Sequence, residues 1–149
     1  MGALKGKLFN RIGKTAGGWT SRIHVVVDTR GRPTKMKVFE GNRNDNLFAK
    51  RLLNGKLAHY VIADKAYDTL NIRKFLKRRK EKAVIPKQAR YGRKVVQTYD
   101  KAIYKNRTLI EHFFQRLKIG RGVATRYCKT NVVYESIVII ACIIFWISY

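Results

Sequence analysis

YKNRTLIEHFFQRLK, Tyr104–Lys118, is the stretch on which the reading of the chain turns. Tyr104, Arg107, Glu111 and Lys118 stand at offsets 0, 3, 7 and 14. At about 100° per residue, an α-helix sets these four within roughly 60° of one another. Ile110, Phe113, Phe114 and Leu117 fall on the adjoining face. One helix therefore has an apolar side to pack and a polar side made of one carboxylate, one phenol and two cations. A carboxylate framed by cations on a rigid element can hold a metal ion beside a phosphodiester. The same spacing also describes an ordinary amphipathic helix with a solvated charged face.

Upstream lies HYVIADKAYDTL, His59–Leu70. Tyr60–Ala63 is a short apolar run rich in β-formers that ends on Asp64. A buried strand that delivers a carboxylate at its C-terminal end is where α/β folds place active-site groups. The plain alternative makes Asp64 a turn or cap residue. Asp68 is expected to cap a helix starting near Thr69.

These residues carry a resemblance. The chain resembles the C-terminal part of a bacterial insertion-sequence transposase of the DDE type. It is similar in particular to members with a D-x-(G/A)-(Y/F) motif at the second aspartate and Y-x2-R-x3-E-x6-K around the glutamate. DKAY, Asp64–Tyr67, matches the first motif, and Tyr104, Arg107, Glu111 and Lys118 match the second. The flanking phrases GGWTSRIHVVVD and YDKAIYKNR add to the likeness, which runs from about Gly13 to Tyr149. The resemblance implies a ribonuclease H-like α/β fold and makes Asp64 and Glu111 catalytic. With a first aspartate they would bind two divalent ions, normally Mg²⁺, which take hard oxygen ligands and stabilise both oxygens of an in-line phosphoryl displacement. Tyr104, Arg107 and Lys118 would position the DNA strand. Arg107 can grip a phosphate with two N–H groups, and Lys118 acts as a point charge.

The chain departs from that family in one respect. The family's first aspartate lies on a strand upstream of the GGWTSRIH phrase, and no carboxylate precedes Asp28 here. Asp28 sits in HVVVDTRGRP, where Asp before Gly and Pro suits a hairpin turn. The expectation is a truncated catalytic domain lacking its central strand, with unpaired strand edges that a partner would have to satisfy. That partner would be an upstream transposase fragment or another copy. Two origins fit: the downstream frame of a frameshifted element, or a decayed copy. The second class of function is a non-catalytic basic nucleic-acid-binding remnant or regulator of intact transposase.

Lys plus Arg number 33 against 9 acidic residues, a net charge of +24. An excess of this size favours polyanions by counterion release. It is densest in IRKFLKRRKEK, Ile72–Lys82, which could equally be a solvated helix face. A ribosomal or other RNA-binding protein would show the same charge without the Asp64 and Glu111 context.

The organisation expected is a flexible basic segment, residues 1–18, then a partial catalytic domain, residues 19–149. Strands are predicted at Thr20–Asp28 and Lys35–Glu40 around a turn at Arg30–Pro33. Asp45 should cap a helix reaching about Leu53. A strand at Tyr60–Ala63, a helix at Asn71–Lys80 and a strand at Ala83–Ile85 follow, the last stopped by Pro86. Gln88–Thr98 reads as a basic loop. Lys101–Ile119 reads as one helix ended by Gly120 and Gly122. Val132–Tyr149 is almost wholly apolar and close to the minimum for a membrane span, but Glu135 interrupts it. A core helix is preferred over a tail anchor, so a membrane partner is not expected. Cys128 and Cys142 are too few for a disulfide framework and fit a reducing cytoplasm. His24, His59 and His112 have no zinc-like spacing with them. Trp19 reads as a packing residue at the start of the hairpin.

Overall fold

The structure, a computed structural model, describes residues 13–15, 18–42, 46–88 and 98–148. In chain order these form β1 (Gly13–Thr15), β2 (Gly18–Val27), β3 (Pro33–Glu40), α1 (Asn46–Leu53), β4 (Tyr60–Ile62), α2 (Leu70–Arg78) and β5 (Lys82–Val84). Then come α3 (Lys101–Tyr104), α4 (Thr108–Leu117), α5 (Arg121–Ala124) and α6 (Asn131–Ile147). The chain is mixed α/β and divides into two compact units. One comprises residues 1–43 and 109–149, the other Asn44–Thr108.

In the first unit β1, β2 and β3 form an antiparallel sheet in that order. The IHVVV run pairs with β3 in the register His24 to Lys37 and Val25 to Met36, with a bulge between Val26 and Val27. Asp28 closes the hairpin. Its Oδ1 accepts from the backbone N–H groups of Arg30 and Arg32, both at 2.9 Å. Its Oδ2 accepts from Arg32 Nε at 2.8 Å and pairs with Arg32 Nη2 at 2.7 Å. Gly31 takes φ +79° there, a conformation that costs other residues Cβ strain. The turn reading of Asp28 is therefore correct. The core of this unit gathers Val38, Phe113, Leu117, Val138 and Phe145.

Helix α6 is capped by Thr130, whose side chain accepts from the Val133 N–H. Tyr134, Val138, Cys142 and Phe145 recur at spacings of 4, 4 and 3, so one stripe reaches the core. Trp146 Nε1 donates to the Pro33 carbonyl at 2.7 Å, and the Arg32 guanidinium lies 4.3 Å from the Trp146 ring centroid. The helix is docked, but only that stripe is buried. Its other side is exposed, which corrects the expectation of a helix sunk in the core. No helix among the described residues is long and apolar enough to cross a membrane.

In the second unit β4 and β5 run parallel, joined through α2. Parallel neighbours need such a crossover. Ile72 and Leu76 of α2 bury against Ala49 and Ile85. Beyond the Arg79 cap of α2, Lys80, a non-glycine residue at φ 58°, turns the chain towards β5. Glu81 follows, buried within the run that reads in sequence as a solvated basic face. Its Oε1 accepts from Ala58 N–H at 3.0 Å and from Arg79 Nη2 at 2.8 Å. Arg79 Nη1 also donates to the Leu53 carbonyl at 2.9 Å. One ion pair thus pins the ends of α1 and α2.

Several expectations change. The cap of α2 is Thr69, which accepts from Ile72 N–H at 3.3 Å, and not Asp68. The Asp68 carboxylate instead takes Arg73 Nε at 2.6 Å and Gln88 N–H at 2.7 Å. Lys101–Ile119 is not one uniform helix, because a 3₁₀ turn occupies Lys105–Arg107. Gly120 precedes α5 with φ −67°, and Gly122 lies inside that helix, so neither is a left-handed stop. The segment expected to be flexible, residues 1–18, contributes β1; most of the remainder, like Asp45 and the Trp19 side chain, lies outside the described residues.

Candidate functional site

Asp64 is placed by the βα unit. Beyond β4, Ala63 N–H still donates to the Val84 carbonyl at 3.4 Å, and then the chain leaves the sheet. Asp64 stands extended at φ −70°, ψ 163°, ahead of a 3₁₀ turn at Lys65–Tyr67. Its backbone carbonyl accepts from Tyr67 N–H at 2.9 Å, but its side chain makes no cap bond. The cap alternative therefore fails at the carboxylate. Asp64 Oδ1 accepts instead from Arg107 Nη1 at 2.6 Å. The Arg107 guanidinium lies 5.8 Å from the Tyr104 ring centroid, at the outer reach of a cation–π contact. Tyr104 in turn sits 4.9 Å from the Tyr99 ring.

Three residues expected from sequence, Asp64, Tyr104 and Arg107, thus meet within the second unit. The pair is open, with side-chain exposures of 52% for Asp64 and 32% for Arg107. Ion pairs at that exposure contribute little to stability. A phosphate can compete with Asp64 for the guanidinium at small cost, which is what a binding group needs. Glu111 and Lys118 belong to the first unit. Both are exposed, and a separation of 7 residues puts them about 20° apart around α4 and its continuation. Phe113 and Leu117, on the opposite side, are buried. The 3₁₀ turn ahead of α4 breaks the constant 100° step, so spacing alone no longer aligns Tyr104 and Arg107 with Glu111.

The family described as transposase DDE domain matches residues 9–146. The chain belongs to this family. It is also similar to a Brucella ovis protein assigned as the transposase for insertion sequence element IS6501, with 37% identity over 129 residues. That match covers 86% of this chain and 98% of the relative. No solved structure matches. DNA transposition is the function that this membership supports, with nuclease and strand-transfer chemistry by resemblance.

Transposases of this kind use divalent metal. In this DDE transposase chain no three His, Cys, Asp or Glu side chains gather in one place among the described residues. Asp64 is paired with Arg107, and Asp28 is committed to its turn. His112 is exposed. Cys142 is buried, and burial pushes its thiol up to about 11.

An open cleft of about 490 Å³ in the second unit lies apart from Asp64 and Arg107. It is lined by Tyr60, Arg73, Lys77, Glu81, Lys82 and Asp100, among others. Asp100 is spent capping α3, and Glu81 on Arg79 and Ala58. Arg73, Lys77 and Lys82 outnumber these two acids by one, and Lys82 Nζ lies 5.6 Å from the Tyr60 ring centroid. Sequence reasoning missed Tyr99, Glu81 and the Asp68–Arg73 clasp. The lone acid in a run of cations was the available signal for Glu81.

Proposed function

We propose that this chain forms the C-terminal part of a ribonuclease H-like catalytic domain that cuts and joins DNA, with Asp64 and Glu111 among its acidic catalytic residues. Residues 19–149 are the catalytic part and residues 1–18 a basic arm. The observation that carries the reading is the Asp64–Arg107 contact, which unites two motif residues 43 positions apart. Exposure of Glu111 and Lys118 on one side of α4 supports it, as does a net charge of +24. Arg107 and Lys118 hold phosphates, and Tyr104 flanks Arg107 against the strand. Asp64 and Glu111 are oxygen donors of the kind Mg²⁺ takes, and the ion would stabilise charge on the phosphate. The set needs a further donor, from an upstream transposase fragment or another copy. The setting is the DNA of a bacterial cytoplasm.

The test is Mg²⁺-dependent cleavage of DNA carrying the ends of the encoding element, with the chain alone and with the upstream polypeptide added. Asp64→Asn and Glu111→Gln should each keep DNA binding and abolish cleavage. Retained cleavage in either variant removes that residue from the chemistry. One second reading, a non-catalytic basic DNA-binding regulator, rests on the net charge of +24, which favours DNA without requiring cleavage. DNA binding without cleavage in both mixtures would support it.

A further inference from the structure

Helix α6 has two apolar faces, and the first unit uses one. On the other side Ile139, Ile140, Ile143, Ile144 and Ile147 are 43–80% exposed, with Val132, Val133 and Trp146 beside them. At about 100° per residue these eight span an arc of roughly 160°. Ser136, within the arc, donates its hydroxyl to the Val132 carbonyl at 2.9 Å. Glu135, at the edge, pairs with Lys37 Nζ at 2.9 Å. The arc carries no charged side chain and no hydroxyl that is not already bonded. Weighted by these exposures it offers on the order of 800 Å² of side-chain surface, more than a monomer ordinarily leaves open and about one side of a standard interface.

We propose that this arc is the contact between two copies of the chain, α6 lying against α6 about a two-fold axis. The area matches what such a dimer needs from each partner. Branched side chains at alternating spacings of 3 and 4 form ridges that seat in the grooves of an identical helix. Charge points to the same face. Each copy carries +24, so two copies repel, and they repel least where they meet through the isoleucine face, with the Arg32 guanidinium held at its margin over Trp146. A membrane-spanning role is not available to a helix of 17 residues that is too short to cross. The contact does not depend on cleavage chemistry.

The experiment is sedimentation equilibrium on the full chain after nuclease treatment, over a wide concentration range. A monomer–dimer equilibrium is expected. It should tighten as salt rises from about 0.1 to about 0.5 M, because screening weakens like-charge repulsion, whereas association bridged by DNA would weaken. The double variant Ile140→Glu, Ile144→Glu should raise the dimer dissociation constant at least 100-fold with an unchanged circular dichroism spectrum. Trp146, on the arc, gives an independent reading in a Trp19→Phe background: its emission should shift to the blue as concentration rises. A monomer throughout, open-ended growth, an undiminished dimer in the folded double variant, or preferential binding to neutral phosphatidylcholine vesicles would each overturn the proposal. Should the double variant not fold, Trp146 emission that ignores concentration overturns it alone.

Discussion

Replacing Asp28 separates a turn residue from a catalytic one. The carboxylate receives two backbone N–H groups and the Arg32 guanidinium, all within 3 Å. Hydrogen bonds to a charged group contribute about 1.5–3 kcal/mol each when buried. The side chain retains 23% exposure, so water would replace part of what is lost. Asp28→Ala should therefore cost about 2–3 kcal/mol overall, and Asp28→Asn, which keeps one acceptor for the amides, about half of that. The turn also holds Arg32 over Trp146, so the alanine variant should loosen the end of α6 as well. Partial burial pushes the Asp28 pKa up, but the hydrogen bonds from Arg32 and Arg30 outweigh it and hold the group below its ordinary 3.8. The folded value lies below the unfolded one. The contribution is therefore complete above the unfolded value and is lost as pH falls through the folded value. Urea unfolding from pH 7 down to about 3 checks this. The gap between wild type and Asp28→Asn should be constant near neutrality and close at the acid end. If Asp28→Ala unfolds like wild type but abolishes cleavage, the turn account is wrong and Asp28 belongs to the chemistry.

Arg107→Gln should weaken binding to duplex DNA at all sequences and lower the slope of log K against log salt by about 0.9, read by titration at several salt concentrations. An unchanged slope removes Arg107 from the phosphate contacts. Glu81→Ala should destabilise the second unit by about 3 kcal/mol, because it leaves the Arg79 guanidinium without its carboxylate, and denaturant unfolding will register it. Phe113→Ala, at a position with 0% exposure, should cost about 3–5 kcal/mol by the same assay and expose the surface on which α6 rests. Lys80→Gly should leave stability equal or raised by up to about 1 kcal/mol, since φ 58° strains a residue with a Cβ.

The local elements follow from the chain's own pattern. The apolar IHVVV run before Asp-Thr-Arg-Gly-Arg-Pro yields a hairpin because a β-run and a turn signal act over a few residues. The run from Tyr60 onward yields a strand for the same reason, although it ends at Ile62, two residues short of Asp64, and is only partly buried. Motif spacing sufficed to single out Asp64, Tyr104 and Arg107, which do meet. Capping was less legible. Asp68 and Thr69 are both good caps, and the choice fell to Thr69 because Arg73 and the Gln88 N–H, brought near by folding, claim the Asp68 carboxylate. Glu81 reads as a solvated charge until α1 and α2 bring Ala58 and Arg79 to it. The helix from Lys101 onward has uniform helical periodicity in sequence, yet a 3₁₀ turn interrupts it where one compact unit gives way to the other.

The sequence by itself determined most of the elements and the family, and it singled out the acidic and basic residues proposed for the chemistry, because these depend on periodicity and on side-chain type at fixed spacing. Tertiary structure alone decided which charges pair and which side of an all-apolar helix faces the core. Those outcomes depend on distances between residues far apart in the chain, and a helix apolar all round carries no periodic mark of its buried side.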